Sequence, residues 1–315
     1  MIDLEKLLDF GSDMIKRTLN FSKPAYLSKK DNQLLVKFPK TQGEDEQKEI
    51  TIPIEDIGIV ILENPQITIS HSLLSSLLEN NAAVVTSDKR HHPNGLLLNL
   101  DGNTLQSEKF NAQIKASFPL KKQLWQQTIT AKIKNQAALL EEREVPVRNM
   151  KTWAKKVRSG DPDNYEARAA AYFWDNIFIN IPDFKRGREE AEPNNLLNYG
   201  YAILRAIVAR SLVGSGLLPT LGIHHHNKYN AYCLADDIME PYRPFVDRIV
   251  VEIVENGEDF FEISPSIKRQ LLSIATVDVM IEEKSSPLMV GMQRTTASLA
   301  RCFEGETRKI LYPNL

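Results

Sequence analysis

The amino-acid sequence predicts an α+β protein: a small β-rich N-terminal domain carrying one helix, followed by a larger all-α domain. Three observations carry this prediction. Up to about residue 100, short runs of β-branched and apolar residues recur between turn signals. The texture changes at Asp101-Gly102-Asn103. Beyond that point apolar residues return at helical spacing almost without interruption.

Residues 1–13 read as an extension of separate status, because Met14 opens a fresh pattern. From Ile15 the texture is β, with strands expected at 34–38, 50–52, 57–62 and 67–69. Lys30-Asp31-Asn32 and Asn64-Pro65 are the turns between them. Lys40–Glu49 is a charged, solvated loop. In Ser70–Asn80, leucines at 73, 74, 77 and 78 define one helix face, with Ser70 or Ser72 as its cap. Two further strands are expected at 82–86 and 96–100. The boundary falls near 101–105, giving domains at 14–103 and 104–315. Helices are expected at 120–142, 147–158, 163–178, 194–214, 231–240, 244–255, 264–274 and 287–304.

Bulk composition excludes several classes. The chain of 315 residues is 42% hydrophobic and 25% charged, ordinary for a folded protein with a sizeable core. A net charge of −2 and a pI near 6.3 mean that any nucleic-acid surface must be local. Cys233 and Cys302 are isolated, which argues against a disulfide framework and for a reducing compartment. No apolar run approaches the roughly 18 residues of a membrane span. The acidic start, MIDLEKLLDFGSD, lacks a signal-peptide core. These features predict a cytoplasmic protein without membrane attachment.

The chemistry concentrates in Leu221–Arg248, which holds His224, His225 and His226 with Asp236, Asp237 and Glu240. Asp236 and Glu240 form a like-charge i,i+4 pair, costing about a few tenths of a kcal/mol. The acids also sit near a helix C-terminus, where the macrodipole is already negative. A cation nearby turns each penalty into a gain. Arg243 is the plain salt-bridge partner for Glu240, but it answers one acid of three. Pro241 bends or stops the helix at Glu240. If Gly222-Ile223 leads in as an extended segment, His224 and His226 face one side and His225 the other. One imidazole with two or three carboxylates suits Mg²⁺ or Mn²⁺, whereas zinc recruits more His or Cys.

Glu166 is the second candidate. Asp163 and Glu166 have capping-box spacing at the start of the 163–178 helix. The same first-turn position would also hold a ligating carboxylate rigidly. Basic residues cluster nearby: Lys155, Lys156 and Arg158, then Lys185, Arg186 and Arg188, then Arg205 and Arg210. Each alone is ordinarily a solvated face.

These residues resemble a known family, the CRISPR-associated spacer integrases, and most closely their type II branch. The N-terminal matches are Lys16-Arg-Thr-Leu, Pro24-Ala-Tyr-Leu-Ser and Ile52-Pro-Ile-Glu-Asp-Ile-Gly-Ile-Val. The C-terminal matches are Asn195-Leu-Leu-Asn-Tyr-Gly-Tyr-Ala-Ile-Leu, Gly222-Ile-His-His and Asp237-Ile-Met-Glu-Pro-Tyr-Arg-Pro-Phe-Val-Asp247. The resemblance runs from about Met14 to the C-terminus. It implies an N-terminal β-domain, a helical C-terminal domain and a homodimer. It implies a divalent metal, Mg²⁺ or Mn²⁺, held by Glu166, His225 and Glu240, with Asp237 as a supporting acid and Asp236 on the surface. The Gly-x-x-His motif selects His225; the bare triplet selects none of its three members. The implied activity is that of a DNA endonuclease and integrase of antiviral defence, joining short foreign fragments to the CRISPR array by transesterification. A small second adaptation protein is the implied partner. Lys156, Arg158 and Arg243 are expected at DNA phosphates. Two alternatives come from other classes: a metal-dependent phosphoesterase on another substrate, and a non-catalytic DNA-binding scaffold.

Overall fold

The computed structural model describes all residues except 1–15, 40–48, 90–92 and 188–189. The expected extension at 1–13, most of the charged loop at 40–49, and Arg188 lie outside the described residues. The N-terminal part runs β1 (Arg17–Phe21), β2 (Tyr26–Lys30), β3 (Gln33–Lys37), β4 (Glu49–Pro53), β5 (Ile57–Leu62) and β6 (Thr68–Ile69). It continues with α1 (His71–Glu79), β7 (Ala83–Ser87) and β8 (Pro93–Leu97). Two four-stranded sheets result, ordered β1-β5-β7-β8 and β4-β3-β2-β6. The first is parallel across β1, β5 and β7, with β8 antiparallel at its edge. Ser70 caps α1 by accepting the Leu73 N–H, and Leu73 and Leu77 are its fully buried residues.

β5 explains why Ile57–Leu62 reads as a continuous apolar run: both its faces are covered. Val60 faces the core shared with β2, β3 and α1, while Ile59 and Ile61 face the helices. The β1–β5 register slips between Arg17 and Thr18, opposite Gly58. This slip sets Ile57 and Ile59, two residues apart, into different cores. β7 splits likewise, Val84 to one side and Ala83 and Val85 to the other. The helical core therefore extends across the boundary expected near 101–105.

The second part contains α2 (Gln106–Lys115), α3 (Phe118–Glu141), α4 (Arg148–Lys156), α5 (Tyr165–Ile177), α6 (Asn194–Gly214), α7 (Cys233–Met239), α8 (Arg243–Glu255) and α9 (Pro265–Leu272). A hairpin, β9 (Asp278–Ile281) and β10 (Lys284–Pro287), precedes α10 (Leu288–Glu304). The eight expected helices form within two residues at each end, and α2 is additional. The hairpin corrects the all-α expectation for this part. Its turn uses Glu282 and Glu283 at φ of 48° and 62°, without the glycine or asparagine that usually marks such a turn. α6 is long and apolar enough to cross a membrane by length and composition, yet 83% of that window is buried within the fold. It is the central core helix.

Candidate functional site

α3 is the floor of the site. Ser117 caps it by accepting the Leu120 N–H, and its buried stripe includes Leu124, Trp125, Thr128, Lys132, Asn135 and Gln136. A lysine in that stripe requires anionic company. The Lys132 Nζ lies 2.7 Å from Glu166 Oε1 and 2.7 Å from Glu240 Oε2. The three side chains are 11%, 25% and 6% exposed, in that order. Burial works against the charge on Lys132, but Glu240 and Glu166 outweigh it and raise its pKa. Glu240 is balanced the same way: burial opposes its ionisation, while Arg243 and Lys132 lower its pKa. Arg243 Nη2 lies 3.0 Å from Glu240 Oε1, and its guanidinium sits 4.8 Å from the Tyr201 ring.

Glu166 reaches Lys132 because it is not used as a cap. The expected capping box does not form. Asn164 enters α5 in the left-handed region (φ 53°), and Asp161 accepts the N–H groups of Tyr165 and Glu166 at 3.0 and 2.9 Å. Asp163 instead pairs with Arg158. Glu240 stands where α7 gives way to a turn of 3₁₀ helix, Glu240–Tyr242, before α8. Asn135 fixes that turn: its Nδ2 donates to Pro241 O at 2.7 Å and Pro313 O at 3.0 Å, and its Oδ1 accepts the Leu315 N–H at 3.1 Å.

The histidine loop is organised by Asp237. This fully buried carboxylate accepts the N–H groups of Ile223, His224 and His225 at 2.7, 2.9 and 3.3 Å. It also lies 2.5 Å from His225 Nδ1. That contact places the proton on Nδ1 and leaves Nε2 as the free ring nitrogen. The hydrogen bond to Asp237 raises the His225 pKa above its ordinary value despite burial. Gly222 is needed here, since a Cβ would come within 2.4 Å of His225 O and 2.8 Å of Asp237 Oδ2.

The expectation that His224 and His226 share a face is corrected. The chain bends at Ile223 and His224 around Asp237, so two-residue alternation does not apply. His224 stacks flat on Trp125, centroids 4.1 Å apart, and His225 meets the same ring edge-on at 5.6 Å. Burial lowers the pKa of His224. His226 is exposed.

Asp236 is likewise not on the surface. It is buried, 2.7 Å from Arg205 Nε and 2.6 Å from Asn230 Nδ2, because α7 turns its first acid toward α6. Arg210 is fully buried and donates to Asn81 O, so it is no surface cation. Arg186 is held by Asn194 and Asn198. Lys156 and Arg158 are exposed at the end of α4 and beyond it. Arg243 lies inside the site against Glu240.

Glu166 and Glu240 thus meet on one cation, with His225 within electrostatic reach of both. Among the described residues, no three His, Cys, Asp or Glu side chains close on a single metal-sized point; the Lys132 ammonium takes that place. The donor chemistry still fits a hard divalent ion: two carboxylates that already turn an oxygen each toward one cation, and one imidazole nitrogen. Lys132 is the residue that sequence reasoning missed. Its signal was its position, one turn beyond Thr128 and two beyond Trp125 on the apolar stripe of a long helix.

A two-sheet β-part packed on a helical part, with two acids at helix ends, a lysine inside α3 and a loop imidazole brought together, defines an α+β protein with a polar site in its helical half. The chain belongs to the CRISPR associated protein Cas1 family, whose model matches residues 20–283. It is 36% identical over 287 residues to the CRISPR-associated endonuclease Cas1 of Neisseria meningitidis serogroup C (strain 8013), covering 90% of this chain and 91% of that one. The fold matches a casposase bound to integration product (TM-score 0.76, 20% identity, 94% of this chain and 92% of that chain). It also matches part of a Cas6-RT-Cas1–Cas2 complex (TM-score 0.73, 20% identity, 96% of this chain and 36% of that chain).

Proposed function

We propose that this protein is a divalent-metal-dependent DNA endonuclease and integrase of CRISPR adaptation, inserting short foreign duplexes into the array by transesterification. The observation that carries this reading is the convergence of Glu166 and Glu240 on one cation beside His225. Family membership and the endonuclease name of the Neisseria relative support it. So do the integration product bound by the casposase and the Cas1–Cas2 assembly among the similar folds. The proposed working unit is a cytoplasmic homodimer bound to DNA and a small second adaptation protein.

Glu166, Glu240 and His225 Nε2 would hold Mg²⁺ or Mn²⁺, which when bound neutralises charge developing on the phosphoryl oxygens. Asp237 keeps the His225 proton on Nδ1, so Nε2 is available. Arg243 keeps Glu240 ionised and aimed. Lys156 and Arg158 offer charge to backbone phosphates and orient the duplex. In the reaction a 3′-hydroxyl of the fragment forms one new P–O bond as one P–O bond of the array strand breaks. The hydroxyl proton leaves to solvent and the released 3′-oxygen takes one up. One phosphodiester replaces another, so no energy source is needed.

The reading of a phosphoesterase in a closed pocket fits less well, since the His225 side chain is 46% exposed and the site opens to solvent. The deciding experiment is integration of a short duplex into a plasmid bearing the array, with and without Mg²⁺ or Mn²⁺ and the partner protein. Strand transfer that needs the metal supports the proposal. Transfer that persists in chelator, or activity only on small phosphate esters, overturns it.

A further inference from the structure

Glu166 and Glu240 are brought together by a cation that the chain itself supplies. The Lys132 Nζ touches an oxygen of each acid at 2.7 Å, on a side chain that is 11% exposed. A divalent ion bound to the same two oxygens would sit at about 2.1 Å from each. That is the space the ammonium fills, so the two cations exclude one another. We propose that Lys132 is a placeholder, holding the two carboxylates in register until a divalent ion displaces it, so that metal loading is an exchange of cations. This rests on the metal-dependent reading above.

Charge, hydrogen bonding and anchoring each support the exchange. First, a buried and a half-buried carboxylate facing each other without a cation repel. A chain that folds before it meets metal needs a substitute charge at this point. Second, the grip on the two acids is uneven. Nζ meets both acids at 2.7 Å, but it is the partner of Glu166 at Oε1 and only one of two cations on Glu240, whose other oxygen is held by Arg243. Third, the backbone that carries each acid is anchored independently of the ammonium. Arg243 retains Oε1 of Glu240, Asn135 pins the turn at Pro241, and Asp161 holds the first-turn N–H groups of α5. Lys132 alone hangs on a flexible four-carbon stem, and the open side of the site lies at His225.

The test uses the full chain and two variants, Lys132→Met and Lys132→Arg. Mn²⁺ binding is read by calorimetry and by the electron-spin signal of free Mn²⁺; thermal unfolding is read with and without Mn²⁺. Lys132→Met removes the competitor. It should bind Mn²⁺ about tenfold tighter or more, unfold at lower temperature without metal, and gain more from Mn²⁺ than the parent. Lys132→Arg keeps a cation and the fold, offers both acids a planar two-pronged partner, and should bind Mn²⁺ about tenfold more weakly. A lysine that is only structural would lower the unfolding temperature of Lys132→Met and leave Mn²⁺ affinity unmoved. Equal or weaker binding by folded Lys132→Met overturns the exchange, and so does parental affinity in Lys132→Arg, which decides alone if Lys132→Met fails to fold. Mn²⁺ binding by the parent with no change in the variants defeats the placeholder only. No binding by any of the three proteins defeats the metal-dependent reading as well.

Discussion

Two buried glutamate–lysine pairs in this molecule share one distance and differ in almost everything else. Glu63, just after β5, sits 2.7 Å from Lys268 on α9 through Oε2 and takes the Tyr199 hydroxyl from α6 on Oε1 at 2.9 Å. One acid meets one base, each oxygen has a directed donor, and the acid is fully enclosed. This triad staples the first sheet to the helices. Glu240 also sits 2.7 Å from a lysine, but that lysine is shared with Glu166, and a second cation, Arg243, holds the other oxygen of Glu240. The neighbouring imidazole opens to solvent. A closed, matched pair is a fastener; a shared cation at an opening is one that can be replaced.

The two pairs should respond to mutation in opposite ways. The largest effect is expected for Glu240→Ala or Glu166→Ala, which should abolish strand transfer while circular dichroism and gel filtration remain those of the parent. A fully active Glu240→Ala protein would place the chemistry elsewhere. Glu63→Ala should do the reverse. It strands Lys268 in the interior, and losing one partner of a buried pair costs about 3–5 kcal/mol. Denaturant unfolding should show that loss, with strand transfer per folded molecule intact. Asp237→Asn probes the support behind the site. It keeps one acceptor oxygen and turns the other into a donor NH₂, so the His225 Nδ1 contact and the Ile223 and His224 N–H groups can no longer all be satisfied, and Mn²⁺ affinity should fall about 10–100-fold. The smallest effect is expected outside the cluster. Replacing Lys156 or Arg158 by Gln should weaken DNA binding uniformly across sequences and lower the salt slope by about one for each phosphate no longer neutralised. An unchanged slope in both would remove them from the DNA surface.

How much of this was legible in the sequence depended on whether the signal was local. The run Ile57–Leu62 marks its strand to the residue, because a doubly covered strand is apolar at every step. Ser70 and the leucines after it mark α1 because cap and stripe fall within three turns. Glu166, His225 and Glu240 were singled out through motif resemblance, and the structure brings Glu166 and Glu240 to one lysine with His225 within electrostatic reach. What escaped was long-range or unorthodox. Lys132 reads as one more lysine on an amphipathic helix, because its acids enter from α5 and from the end of α7. Asp161 was passed over because the acid at Asp163 has the better spacing, and Arg158 takes that one instead. The hairpin before α10 is hidden by a turn built from two glutamates.

The strands β5 and β7 belong to two cores at once, and this limits how the protein can be taken apart. A fragment ending near residue 103 would keep both sheets but bare Ile59, Ile61, Ala83 and Val85 along one face. Such a sheet would have an apolar flank with nothing on it and would aggregate. Exchanging the β-part between relatives therefore means carrying over the helical residues that lie against that flank; the useful cut follows the packing, not the linker.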